Sequence, residues 1–167
     1  IVMLLKRNIL FLFVIPFWAL RGPYVLKMKL AERVEIDPDG LPYRADFLEF
    51  LKLEKKKRRK IFLATGSPKA FAEKISNHLG LFSGVLATEN GVNLTSSCKT
   101  AALDGAFGAG GYDYAGNSRA DIAVFNNARQ AIVVAPDRAA GRYQKRHKSA
   151  LFSKARNSVR PLVKMLR

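Results

Sequence analysis

The stretch Ile61-Phe62-Leu63-Ala64 is wholly apolar and leads into Thr65-Gly66-Ser67-Pro68, after which a helical pattern runs from Lys69 to Leu79 and stops at Gly80. A short apolar run followed by a helix with proline in its first turn is what a buried parallel strand feeding a crossover helix requires. The pattern recurs. Gly84 to Ala87, Tyr112 to Ala115 and Ile132 to Ala135 read as further strands. Ala45 to Lys57, with Phe47, Leu48, Phe50 and Leu51 at helical spacing, and Ser97 to Phe107 read as helices. Such alternation predicts an α/β fold, a parallel sheet with right-handed crossovers and helices on both faces. Chemistry then belongs in loops at the carboxyl ends of strands, where Thr65 and Asn117 fall.

Both ends depart from this pattern. Ile9 to Leu20 is an unbroken apolar run between Lys6-Arg7 and Arg21. At 1.5 Å per residue it reaches only about 18 Å against about 30 Å of hydrocarbon, and Pro16 interrupts it, which argues against a simple membrane span. No small-residue cleavage site follows, as a signal peptide would need. A buried or membrane-surface helix pair fits better, with Gly22-Pro23 as its turn and Tyr24 to Val34 as its second helix. Residues 1–35 are therefore expected to form a helical, cap-like segment ahead of an α/β core over 36–137. The chain opens at Ile1 without an initiator methionine and reads as a fragment. After Asp137 no acid follows, while ten bases lie between Arg138 and Arg167, so 138–167 reads as a basic helical linker or tail.

That tail and the run Lys55 to Lys60 account for much of a net charge of +16, from 29 bases against 13 acids. The surplus favours anionic partners. Nucleic acid is the weakest of these, because the bases are not interleaved with aromatics and match no known module. A single cysteine, Cys98, excludes an internal disulfide and points to a reducing, cytoplasmic setting, with membrane association through the tail. Gly105 to Gly111 follows a helix and precedes a strand, the reverse of a dinucleotide fingerprint, and reads as a helix stop. His78 and His147 are too far apart for a recognisable metal site, and Cys98 has no partner histidine.

The informative set is Thr65 after an apolar strand, Lys99 near the start of a helix, and Gly116-Asn117-Ser118-Arg119-Ala120-Asp121 after another strand. These resemble motifs two, three and four of the haloacid dehalogenase (HAD) superfamily of phosphotransferases. The resemblance implies a three-layer Rossmann-like HAD fold in which Thr65 binds phosphoryl oxygens, Lys99 balances the charge of a phosphoaspartate, and Asn117 and Asp121 help to hold magnesium. Phosphoryl transfer needs such groups around the equatorial oxygens. With Leu41-Pro42-Tyr43, Leu63-Ala64-Thr65-Gly66-Ser67 and His78-Leu79-Gly80-Leu81-Phe82, the stretch from about residue 18 to 137 is closer still to the HAD-like domain fused in front of UbiA-type prenyltransferases. A phosphorylated small molecule or prenyl phosphate is then the implied substrate, and a prenyltransferase domain or a membrane the implied neighbour.

Two departures limit that expectation. The superfamily's first motif, an Asp-x-Asp-Gly-Thr turn that supplies the nucleophile, is absent. Asp37-Pro38-Asp39-Gly40 looks like it, but no apolar strand precedes Asp37, so it reads as a turn, with Asp37 and Asp39 as weak alternative catalytic residues. Asn117 stands where the general pattern has Asp, and its amide brings no negative charge to a cation. The expected function is a magnesium-dependent phosphohydrolase-type domain, inactive in these residues because its nucleophile is missing. The alternative is a non-catalytic HAD-like module that docks on a membrane prenyltransferase or an anionic membrane. If the strand that bears the first motif is missing, the strands ending at Thr65 and Ala115 should each present an unpaired inner edge unless Phe11 to Ile15 fills its place.

Overall fold

A computed structural model describes residues 37–89 and 94–153. The cap-like segment expected over 1–35 and the end of the basic tail, 154–167, lie outside the described residues. Helix α1 (Ala45–Lys56) forms on the apolar spacing noted above, with Asp46 in its first turn and Lys55 and Lys56 in its last, each sign suited to its end of the helix dipole. Strand β1 runs Phe62–Pro68, longer than its apolar part, so that Thr65 lies at the middle of the strand, just past the regular pairing with β2 that ends at Ala64. Pro68 leads directly into α2 (Lys69–Leu79), which ends at Gly80 in the left-handed conformation, φ 60°. Then follow β2 (Gly84–Thr88), α3 (Ser96–Phe107), β3 (Asp113–Gly116), a 3-10 turn at Arg119–Asp121, α4 (Ile122–Asn127), β4 (Gln130–Val134), α5 (Arg138–His147) and β5 (Ala150–Phe152).

Every strand pairing is parallel, as the alternation predicts, and the result is an α/β, Rossmann-like arrangement. The residues read as a tail do more than link. Asp137 caps α5 by accepting from the Ala139 and Ala140 amides at 2.9 and 2.8 Å. Strand β5 pairs with β4, so the sheet reaches Phe152 instead of ending at 137. Phe152 in turn meets Phe47 and Phe50 of α1, with ring centroids 5.3 and 5.2 Å apart. The core is built from Leu103 of α3, Tyr112, Tyr114, Val124, Phe125, Val133 and Ala140.

The strands do not form one sheet. Among the described residues β1 pairs with β2 alone, and β3, β4 and β5 form a second sheet in that order. Among the described residues no ladder joins β1 to β3. Between them lies a cavity of about 620 Å³ lined by Ile61–Ala64 on one side and Tyr112–Ala115 on the other, with Phe47 and Leu51 of α1 and Phe107 of α3 at its walls. This explains why β1, read as a buried strand, is only half-buried over Phe62–Ala64. The amino ends of β1 and β3 stand together, because Arg59 pairs with Asp113, which also accepts from Arg129 at 2.8 Å.

Candidate functional site

At the end of β3 the chain turns sharply at Gly116. A Cβ there would lie 2.9 Å from the Asp121 side chain, so only glycine lets the loop fold back this closely. The return brings the Asp121 carboxylate under the loop. Its Oδ2 accepts from the Asn117 amide at 3.1 Å, the Ser118 amide at 3.1 Å and the Ser118 hydroxyl at 2.8 Å. Asp137 holds the other side of the loop, accepting from the Arg119 amide at 2.8 Å while its own amide donates to the Asn117 carbonyl.

The other oxygen of Asp121 faces the core. Its Oδ1 accepts from Lys99 Nζ at 3.0 Å and from the Tyr114 hydroxyl at 2.7 Å, and Lys99 also donates to that hydroxyl at 3.0 Å. All three side chains are buried, with Lys99 8 %, Asp121 5 % and Tyr114 7 % exposed. Burial pushes the Asp121 carboxyl upward, but the bonds from Tyr114, Lys99 and Ser118 outweigh it and hold the group at about 2. The Tyr114 hydroxyl is pushed well above its usual range by burial and by the Asp121 charge. The Asp121 carboxylate is therefore ionised across the physiological range, held by Lys99 and a tyrosine donor.

Lys99, Asp121 and the Asn117 backbone are thus brought together. Thr65 stands at the end of the neighbouring sheet, where its Oγ1 accepts from the Ser67 amide at 3.1 Å, and it makes no bond to the other three. Asp37 and Asp39 lie elsewhere. Asp37 accepts from the Asp39 amide in an exposed turn ahead of α1, and Asp39 stands 3.7 Å from His78 in the last turn of α2, the end remote from the carboxyl end of β1. Cys98 is exposed. Tyr114 and Asp137 are the members that sequence reading did not single out. The signal for Tyr114 was the alternation Tyr112-Asp113-Tyr114, which puts two hydroxyls on one face of a strand.

Magnesium fits these residues poorly. Asp121 already accepts five hydrogen bonds through its two oxygens, and a carboxylate offers about four lone-pair positions. Asn117 adds only a neutral amide, and no group of three or more metal-ligating side chains is present among the described residues.

No family model matches the sequence. The chain is 33% identical over 120 residues to the uncharacterized protein y4nM of Sinorhizobium fredii, an alignment that covers 72% of this chain and 23% of that protein. The chain therefore spans about a quarter of that relative's length. Among solved structures it resembles a protein of unknown function from Bordetella pertussis Tohama I, with a TM-score of 0.63, 11% identity, and coverage of 84% of this chain and 71% of the other. At that identity the likeness concerns the fold alone, and it is consistent with the Rossmann-like α/β arrangement described above.

Proposed function

We propose that the chain is a HAD-like, phosphohydrolase-type module of the kind fused to UbiA-type prenyltransferases, and that these residues recognise a phosphate monoester without hydrolysing it. The observation that carries the reading is the buried Lys99–Tyr114–Asp121 cluster at the carboxyl end of β3, since ligands of open α/β sheets bind there. An ammonium has three N–H donors, and Lys99 spends two of them on Tyr114 and Asp121, which leaves one for an anionic oxygen. The Thr65 hydroxyl accepts from Ser67 and keeps its own proton for a ligand. Hydrolysis through a phosphoaspartate needs a free carboxylate at the same rim, and among the described residues the two there, Asp121 and Asp137, are engaged by the loop and the helix cap. The greater length of the Sinorhizobium relative supports a module within a longer protein.

The test is twofold. p-Nitrophenyl phosphate with magnesium should give no turnover, while inorganic phosphate or phenyl phosphate should bind and be released by Lys99→Met. Turnover that disappears in Asp37→Asn or Asp39→Asn would overturn the reading and promote the Asp37–Gly40 turn to the first motif.

A second reading, docking on an anionic membrane, has its own observation. Arg119, Arg142 and Arg146 surround a groove of about 690 Å³ floored by Ile122, Ala139 and Tyr143. None of the three guanidinium groups pairs with a carboxylate among the described residues. By contrast, Arg44, Arg59 and Arg129 all do.

A further inference from the structure

Three guanidinium groups converge on one groove from two separate segments. Arg119 comes from the turn after β3, and Arg142 and Arg146 stand one turn apart on α5, around a volume of about 690 Å³. The frame between them is fixed. One oxygen of Asp137 accepts from the Arg119 amide at 2.8 Å and the other from the Ala139 and Ala140 amides at 2.9 and 2.8 Å, so a single carboxylate sets the start of α5 against the Arg119 turn. The floor is held as firmly. Tyr143 meets both Phe125 of α4 and His147, with ring centroids 5.1 and 4.2 Å away, and Ile122 and Ala139 complete the surface.

The chain's own acids leave the groove cationic. The described ion pairs of arginine use Arg44, Arg59 and Arg129. Outside the described residues the sequence has two side-chain carboxylates, Glu32 and Glu35, too few to neutralise three arginines. Diffuse negative charge would be met equally well by any cation. A guanidinium does more, because its planar fork gives two parallel N–H bonds to a phosphate, whereas an ammonium is a point charge. Three forks on a fixed frame therefore select for shape. A phosphate monoester brings about −1.5 to −2 charge near pH 7 and three acceptor oxygens, one to face each arginine. The phosphate of phosphatidylserine is a diester, singly charged and with fewer free oxygens. The apolar floor of Ile122, Ala139 and Tyr143 suits the glycerol and first methylenes behind such a head, which a free anion lacks. Arg138, Lys145 and Lys148 add exposed cations along α5 for the surrounding anionic surface.

We propose that this groove binds the phosphate monoester headgroup of a membrane lipid, of which phosphatidic acid is the simplest, with Arg119, Arg142 and Arg146 on its oxygens. The inference rests on the membrane-docking reading above and narrows it from surface charge to one headgroup chemistry.

The test is sedimentation of the full 167-residue chain with phosphatidylcholine vesicles that carry either phosphatidic acid or phosphatidylserine at equal surface potential. Phosphatidic acid should bind roughly tenfold more tightly. The triple variant Arg119→Lys, Arg142→Lys, Arg146→Lys keeps every charge and should bring the two lipids within about twofold of each other, with phosphatidylserine binding unchanged. Because the readout is a ratio, attraction from elsewhere in the chain that ignores headgroup chemistry cancels. All three arginines are exposed, so the lysine variant should keep the parent's urea midpoint. Equal affinity of the parent chain for the two vesicles, or a preference that survives the lysine variant, overturns the inference and leaves membrane docking standing. Sedimentation with neither vesicle overturns both. Glycerol 3-phosphate binding that equals the vesicle affinity and is lost in the lysine variant assigns the groove to a soluble ester and overturns the lipid assignment.

Discussion

At the residue scale, the cluster around Asp121 should behave as one unit. Lys99→Met leaves a buried carboxylate with its cation removed, which typically costs about 3–5 kcal/mol. A lowered urea midpoint together with lost phosphate binding is the expected result. The pH dependence follows from the depressed carboxyl. Asp121 titrates at about 2 when folded, against an ordinary 3.8, so its contribution is complete above pH 4 and is lost as pH falls toward 2. That contribution is of the order of 2 kcal/mol. Urea melts between pH 7 and 2 should show the loss, and Asp121→Asn should flatten it while lowering stability at neutral pH. Lys99 and Asp121 were singled out in the sequence by the likeness of their order to a known set of motifs, and in the structure they stand 3.0 Å apart. Tyr114 was not, because a strand tyrosine is ordinarily a packing residue and only the folded loop shows its hydroxyl against Oδ1.

At the scale of elements, the long periodic segments were readable and the short ones were not. Helix α2 begins and ends where proline and glycine place it. Helix α4 has six residues and β5 three, too few for either periodicity to rise above noise. The charge of 138–152 hid not the helix, which was expected as part of a linker, but its packing on the core, because its apolar face, Ala139, Ala140 and Tyr143, is narrow. Tyr143 meets Phe125 at 5.1 Å, and Ala140 is fully buried. Charge composition describes a surface, and it says little about the stripe beneath. Truncation after Asp137, the boundary that composition suggested, should therefore bare the edge of β4 and the Phe47–Phe50 face of α1. The shortened chain should melt earlier and elute as aggregate in size-exclusion chromatography, whereas truncation after Ser153 should leave the melt near that of the full chain.

At the scale of the whole molecule, the membrane-docking proposal for this +16 chain turns on Arg119, Arg142 and Arg146, which pair with no carboxylate among the described residues. Each base near an anionic surface contributes about 1 kcal/mol, less in salt. Replacing Arg119, Arg142 and Arg146 together with Gln should weaken sedimentation with phosphatidylserine vesicles and reduce its ionic-strength dependence. Unchanged binding would place the attraction elsewhere in the chain. No helix among the described residues is long and apolar enough to cross a bilayer. The Arg59–Asp113–Arg129 pairing has a mechanical consequence. It fastens the two sheets directly at their amino ends, since the Asp113 side chain is 9 % exposed and gripped from both sides, while among the described residues the carboxyl ends are linked only through α3, whose start packs on Gly66 and whose Lys99 reaches Tyr114 and Asp121. Two plates pinned along one margin open like a book. A small rotation about the pin moves the amino ends little and the rim of Thr65 and Asn117 most, so the rim's width is geared to a charge contact far from it. Spin labels at 67 and 119 should report a broader distance distribution in Asp113→Asn than in the parent chain, with labels at 60 and 130 nearly unmoved.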